Sequence, residues 1–319
     1  MTAFLKLIRL PNLLIIAATQ YLMRYAVIQP MLRLSGIELE LSHFDFFLLV
    51  LSTVFIADAG YIINDYFDTK IDQVNRPGTV LVGISIKRRI AMGAHVVLTF
   101  LGILLGFYVG YKAGVFKLGI IHFIAAGILW FYSTDFKSQS FIGNFLVAFL
   151  SGMIPLVVLL YELPGLNYAY EDILVETGLN FNFLFKFIGG FAIFAFLLTF
   201  LREIIKDIED YKGDEAYGLK TLPITYGVKK AKIIALVIIL ITIIILGIIQ
   251  FLQLKSGDTL SFFYILFAVQ LPLIYLTFRL KEAKVPEEFH AASLLTKLIM
   301  VLGLLYSVLI YIVLTDFNL

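Results

Sequence analysis

Asn64-Asp65-Tyr66-Phe67-Asp68-Thr69-Lys70-Ile71-Asp72 closes one long apolar run, and Asp207-Ile208-Glu209-Asp210-Tyr211-Lys212-Gly213-Asp214 closes another. Both read D-x-x-D-x-x-x-D. On a helix, offsets of three and seven put all three carboxylates on one face. Such a face suits a divalent cation, because Mg²⁺ takes oxygen ligands and is commonly held by one or two carboxylates plus substrate phosphates. Two of them in a greasy chain point to a diphosphate held between two metal clusters. A single acidic helix end would read more simply as a solvated surface. The repeated spacing turns the argument toward metal.

Around these acids the chain is mostly bilayer material. Hydrophobic residues make up 61% and charged residues 15%, well outside the globular range. A membrane helix needs about 20 apolar residues. Nine segments meet or approach that length: Leu10–Gln29, Phe46–Asn64, Ile90–Tyr111, Leu118–Thr134, Phe141–Tyr161, Leu179–Leu201, Ile233–Leu254, Thr259–Phe278 and Leu298–Thr315. Arg24 and Lys186 interrupt the first and sixth. Little length is left for a soluble domain, so residues 1–319 read as one integral membrane domain with cytoplasmic cap loops at about 65–89 and 202–232. Lys6 and Arg9 before an apolar run imitate a signal peptide, but eight further spans favour a retained first helix.

Basic residues set the orientation. With the N-terminus inside, the second-to-third connection carries Lys70, Arg76, Lys87, Arg88 and Arg89, and the sixth-to-seventh carries Lys212, Lys220, Lys229, Lys230 and Lys232. Both then lie on the cytoplasmic side, and the acidic motifs with them. The net charge of +2 needs no nucleic-acid partner, because topology accounts for the basic residues. The absence of cysteine excludes disulfides, thiolate nucleophiles and sulfur-ligated metals.

Energetics confine the six acids further. A carboxylate at the bilayer centre costs about 2.5–3.5 kcal/mol on insertion scales, so they must face a polar cavity or the interface. Crowded carboxylates also repel one another unless cations neutralise them. Helix end, acidic triad and basic loop occur twice, which suggests two related halves with the substrate bound between them. The expected fold is therefore all-α: nine transmembrane helices around a central cavity, in two pseudo-repeated halves.

These residues resemble the UbiA superfamily of intramembrane prenyltransferases. Asn64, Asp65, Asp68 and Asp72 meet its N-D-x-x-D-x-x-x-D signature in full, and the preceding Gly60-Tyr61-Ile62-Ile63 is also similar. Asp207, Asp210 and Asp214 match the Asp-rich run after the sixth helix, and the resemblance covers essentially the whole chain. Arg202 through Asp210, then Lys212-Gly213-Asp214 and Leu222-Pro223-Ile224, is most similar to the geranylgeranylglyceryl-phosphate geranylgeranyltransferases. Arg9-Leu10-Pro11-Asn12 and the connection from Tyr132 through Lys137 to Gly143-Asn144 resemble positions that line the family's cavity. One departure stands out. After Asn75-Arg76-Pro77 the family commonly continues to a second Arg-Pro pair, whereas this chain reads Gly78-Thr79-Val80-Leu81.

The resemblance implies Mg²⁺-dependent transfer of a polyprenyl group from its diphosphate to a lipid-soluble or interfacial acceptor. The metal ligands would be Asp65, Asp68, Asp72, Asp207, Asp210 and Asp214. Elementary chemistry agrees: an allylic diphosphate ionises once its leaving group is neutralised by carboxylate-clamped metal and by Lys or Arg donors. Candidate cations are Lys70, Arg76, Lys137, Lys206, Lys212 and Lys220, each of which positive-inside bias also explains. Lys137 is the strongest, since its loop is otherwise poor in basic residues. Asn12, Asn64 and Asn144 are candidate polar contacts to the bound substrate. An apolar cavity would keep the allyl cation from water. Some of the 30 Phe and 17 Tyr would stabilise it through their ring faces, although most will pack or face lipid.

Asp58 belongs to no motif. It lies seven residues before Asp65, on the same helical face and about 10 Å deeper at 1.5 Å per residue. It is a candidate to orient or deprotonate the acceptor; the plainer reading is a protonated acid bonded between helices.

Other chemistries lack their marks. His43, His95, His122 and His290 are scattered, and G-x-S-x-G, H-E-x-x-H, a Gly-rich phosphate loop and the D-G-x-x-A-R of CDP-alcohol phosphotransferases are all missing. Two alternatives remain: an aromatic acceptor such as 4-hydroxybenzoate, dihydroxynaphthoate or homogentisate, and a cation-coupled transporter. Transporter ion sites sit near the midplane, whereas these acids cluster at one edge.

Overall fold

The computed structural model describes residues 2–75, 78, 80–178 and 180–316. Among them, eight helices are long and apolar enough to cross a membrane: His43–Asn75, Arg88–Lys112, Phe116–Thr134, Ile142–Ala169, Asn182–Glu209, Val228–Ser256, Thr259–Glu282 and Pro286–Thr315. The first expected crossing is also helical, from Leu10 to Arg33, but a π-helical turn at Met23–Ile28 divides it. Asn12, Gln20 and Arg24 dilute its apolar character, so among the described residues the nine expected crossings are eight long apolar spans and one divided helix. The chain is an integral membrane protein, since only helices and closed barrels satisfy their backbone in lipid.

The connections expected at 65–89 and 202–232 are largely helical. The second expected span continues through its acids to Asn75, and the sixth continues to Glu209. Both overshoot the apolar run, and no Gly or Pro lies in 64–75 or 202–209 to stop them.

The chain forms two compact units: residues 1–135 with 153–189, and residues 136–152 with 190–319. In the first unit, His43–Asn75 is the interior helix. Of its apolar window 56% is buried, against 22% for Arg88–Lys112. Small residues allow the close approach that membrane helices need. A Cβ at Gly102 would lie 2.7 Å from Ile56, and one at Gly106 would lie 2.7 Å from the His122 ring. Polar groups fasten the same contacts: Ser52 donates to the Gly102 carbonyl at 2.6 Å and Tyr161 to that of Gly106 at 3.1 Å.

A buried ion pair lies far along the sequence from either motif. Arg24 and Glu162, each 1% exposed, approach to 3.4 Å. Arg24 also donates to the Leu41 carbonyl and stands 4.4 Å over the Phe46 ring. Glu162 accepts the backbone N–H groups of Glu40 and Leu41 at 2.6 and 2.8 Å. Two charges in an apolar interior are tolerable when paired and hydrogen-bonded in this way.

In the second unit the Asn182–Glu209 helix buries Leu198, Leu201, Ile204, Ile205 and Ile208 in a core shared with Leu273, Leu276, Leu280 and Ile299. Two short parallel strands, β1 (Gln139–Ser140) and β2 (Lys220–Thr221), pair Gln139 with Lys220 and Ser140 with Thr221.

Candidate active site

The first motif lies wholly on the straight helix His43–Asn75, so Asp65, Asp68 and Asp72 share a face as their spacing requires. Asp68 is 4% exposed and accepts a hydrogen bond from Asn64 Nδ2 at 2.7 Å. Asp65 accepts Arg9 Nη2 at 2.7 Å, and the Arg9 guanidinium stands 5.1 Å over the Tyr61 ring. Asp72 is half-buried and Lys70 exposed. Arg88, opening the next helix, lies 4.1 Å over Tyr66 and donates to its carbonyl and to Thr69. Arg76 lies outside the described residues.

Arg9 reaches Asp65 from an unusual backbone. It has φ 50° and ψ 49°, a left-handed conformation costly for a side chain with a Cβ. Leu7 is buried with Ile62, Val82 and Ile86, which anchors the segment beside the motif helix. Pro11 then opens Leu10–Leu22, at a position where its missing N–H costs nothing. Asn12 follows within that helix, half-buried.

The second motif is built differently. Asp207 is on the Asn182–Glu209 helix, Asp210 occupies a turn (φ −87°, ψ 6°), and Asp214 lies in the short helix Tyr211–Ala216. The single unbroken face expected for these three acids is therefore interrupted at Asp210. Aspartate favours helix starts over interiors, and Gly213 weakens continuation. Asp207 accepts Asn144 Nδ2 at 2.7 Å, and Asp214 is 4% exposed. Lys206 Nζ donates to both Glu203 carboxylate oxygens at 3.1 Å. His290 Nδ1 lies 3.0 Å from Glu209. Tyr211 donates to Glu215 at 2.9 Å; that bond and the carboxylate's charge hold the phenol above its usual range.

Lys137 sits half-buried in the turn Phe136–Ser138, just before β1, and β1 pairs with the strand of Lys220. The two expected cations thus occupy neighbouring segments, and Lys220 lines a cleft of about 580 Å³ together with Ser138, Ser140 and Thr225. Gly143 permits this arrangement, since a Cβ there would lie 2.8 Å from the Phe136 carbonyl. The turn can therefore fold back on the helix that presents Asn144.

Sequence reasoning did not single out three charged neighbours: Arg9 as the partner of Asp65, Arg88 at Thr69, and Glu203 beside Lys206. The first two contacts are long-range and carried no local signal. Glu203 was findable, four residues before Asp207 and three before Lys206.

Among the described residues no three ligating side chains already converge as a metal site. The donors nonetheless suit a hard cation. They are all oxygens, and Asn64 Oδ1 is buried without a hydrogen-bond partner among the described residues. That oxygen stands beside Asp68, to which its own amide donates. A divalent ion taking carboxylate and amide oxygens would fit this set.

Residues 38–301 match the model of the UbiA prenyltransferase family. Digeranylgeranylglyceryl phosphate synthase of Thermococcus sibiricus is 35% identical over 221 residues, covering 69% of this chain and 68% of the relative. The Thermococcus kodakarensis protein of the same name is 34% identical over 252 residues, covering 78% and 80%. A solved structure described as "Structural and mechanistic insights into the biosynthesis of Digeranylgeranylglyceryl phosphate synthase in membranes" aligns over 98% of both chains, with 25% identity and a TM-score of 0.62. A UbiA homolog from Archaeoglobus fulgidus bound to DMAPP and Mg²⁺ shares the fold, with a TM-score of 0.54 over 96% of this chain and 98% of the homolog at 18% identity. The chain belongs to the UbiA prenyltransferase family. It is an integral membrane enzyme that transfers prenyl groups, and the transporter reading falls with that membership.

Proposed function

We propose that this enzyme transfers a polyprenyl group, geranylgeranyl, from its diphosphate to geranylgeranylglyceryl phosphate, forming an ether and releasing pyrophosphate at the cytoplasmic face. The observation that carries the reading is a repeated local arrangement. In each acidic segment an asparagine amide donates at 2.7 Å to one motif carboxylate, Asn64 to Asp68 and Asn144 to Asp207. A neutral donor fixes the carboxylate rotamer and leaves its other lone pairs for a cation, as outer-shell partners of metal ligands do. The names of the relatives, and the similarity of the second motif to theirs, support the glycerol-phosphate acceptor.

Asp65, Asp68 and Asp72 would hold one Mg²⁺, and Asp207, Asp210 and Asp214 another. Bound there, the ions supply Lewis acidity to the diphosphate oxygens. The chain's own groups do the rest. Arg9, Arg76, Lys137 and Lys220 donate charge-assisted hydrogen bonds to the diphosphate, with Asn12 as a further polar contact. Lys206, held by Glu203, keeps its charge close to Asp207. Apolar side chains exclude water while the C1–oxygen bond opens.

Purified protein should convert labelled geranylgeranyl diphosphate and the glycerol-phosphate acceptor to ether product when Mg²⁺ is present. If a broad acceptor panel gives no prenylated product, and pyrophosphate release is the same for Asp68→Ala as for wild type, the reading fails. Product only with 4-hydroxybenzoate or another ring would retain the transfer chemistry and replace the acceptor.

A further inference from the structure

Asp58 is a buried titratable side chain of the first unit that the proposed chemistry leaves unused. It is 7% exposed, and its Oδ1 is buried with no hydrogen-bond partner among the described residues. Other buried polar side chains of the first unit each make at least one polar contact, although single atoms of Gln20, Arg24 and Glu162 also lack a partner among the described residues. His95 Nδ1 meets the Ala59 carbonyl at 2.9 Å. His122 stands between the Tyr161 hydroxyl at 3.1 Å and Thr53 at 3.5 Å. Arg24 and Glu162 hold each other. An acid serving only to join helices would show such a partner, because buried polar groups almost always find one and membrane helices use them as glue. An unanswered carboxyl is costly there, which points to a partner that arrives with the substrate.

Its position narrows the kind of partner. Asp58 and Asp65 share one face of the His43–Asn75 helix, about 10 Å apart along the axis, with half-buried Tyr61 between them. Side chains tilt toward the helix N-terminus, which carries the Asp58 carboxyl farther from the motif, into the apolar part of the span. A diphosphate held at the motif leads its ester oxygen, C1 and prenyl tail in that same direction, because only the tail is at home in the apolar region. The bond to be made therefore lies on the Asp58 side of the metal ligands. The attacking group needs a hydrogen-bond acceptor there.

We propose that Asp58 is the acceptor-side catalytic residue. Its carboxylate accepts a hydrogen bond from the attacking hydroxyl, aligns the oxygen lone pair on C1 and takes the proton. The C1–oxygen bond to the diphosphate breaks, and its electron pair leaves with pyrophosphate. The hydroxyl oxygen donates a lone pair to form the C1–O ether bond, and the O–H proton passes to Asp58. The proposal rests on the prenyl-transfer reading with a hydroxyl acceptor.

The test uses full-length protein in detergent or lipid with labelled geranylgeranyl diphosphate, Mg²⁺ and the glycerol-phosphate acceptor. Wild type, Asp58→Asn and Asp58→Glu are compared for diphosphate affinity, ether product, prenyl alcohol formed by transfer to water, and thermal unfolding. For Asp58→Asn, ether formation should fall at least about 100-fold, in the range for a lost acid–base group. Diphosphate affinity and the prenyl alcohol channel should stay near the wild-type level, and Asp58→Glu should recover part of the ether rate. Wild-type ether formation by Asp58→Asn overturns the proposal. So does a parallel loss of diphosphate affinity, which would assign Asp58 to the metal site. A drop in both product channels together with a lowered unfolding temperature would assign it to packing. If wild type itself makes no ether product, the acceptor reading fails first; ether from wild type and Asp58→Asn alike would sink the role of Asp58 alone.

Discussion

The first acidic segment is a ruler and the second is broken by a turn, although both carry D-x-x-D-x-x-x-D. Asp65, Asp68 and Asp72 ride one continuous helix to Asn75, with a cation from the N-terminal segment on Asp65. Asp207, Asp210 and Asp214 are divided between a helix end, a turn and a short helix, with the neutral amide of Asn144 on Asp207. The comparison teaches that one carboxylate spacing can be carried by two backbone forms. A continuous helix fixes the relative directions of its three carboxylates, while in the divided segment the turn at Asp210 sets them. The asparagine on an aspartate is what the two share.

The largest effect expected from this comparison is its symmetry under charge removal. Asp68→Asn and Asp207→Asn should each lower kcat by about 10³-fold or more, since metal-borne charge stabilisation is worth several kcal/mol at about 1.4 kcal/mol per tenfold. The double variant should be little worse than either, because groups acting as a unit are strongly non-additive. Multiplying effects in steady-state kinetics would break the claim that the motifs work together.

Next comes a control that separates folding from chemistry. Arg24→Met strands Glu162 in the membrane interior and should cost about 3–5 kcal/mol of stability, read as a lower unfolding temperature. The kcat of the surviving folded enzyme should be unchanged. A selective loss of kcat would show that this pair serves the site.

Smaller effects should have opposite signs in the two segments. Arg9 competes with a metal ion for Asp65, so Arg9→Gln should tighten Mg²⁺ binding to the substrate-free protein while weakening diphosphate binding by about 10-fold, as expected for one charge-assisted contact. Because that ion pair is partly exposed, its loss should change stability by at most about 1 kcal/mol. Asn144→Ala frees the Asp207 rotamer and should weaken Mg²⁺ binding by about 10–100-fold. Changes of the same sign in a metal titration would erase the distinction. The least effect belongs to Lys70, exposed on the ruler: Lys70→Gln should leave kcat/KM within about twofold, as surface changes usually do.

The sequence made some of this legible for local reasons. Apolar runs of membrane length announced the spans, and offsets of three and seven announced the first triad because its helix continues to Asn75. Asn144 was named from the resemblance of its loop, and its amide meets Asp207. What escaped depended on contacts between distant segments or on a choice between nearly equal local states. Arg9 meets Asp65 only through a left-handed residue and the seating of Leu7. The break at Asp210 comes from residues that tolerate both helix and turn. The first crossing was harder to assign because Arg24 looked like an interruption until Glu162 supplied its partner.

The central claim is that each acidic segment contributes one metal to a single bound diphosphate. Its most direct test is the number of Mn²⁺ ions, standing in for Mg²⁺, bound per chain in the presence of a prenyl thiodiphosphate, measured by electron paramagnetic resonance titration. Wild type should bind a pair, and Asp68→Asn and Asp207→Asn should each bind one ion fewer. A single ion in wild type, or an undiminished pair in either variant, would contradict the account.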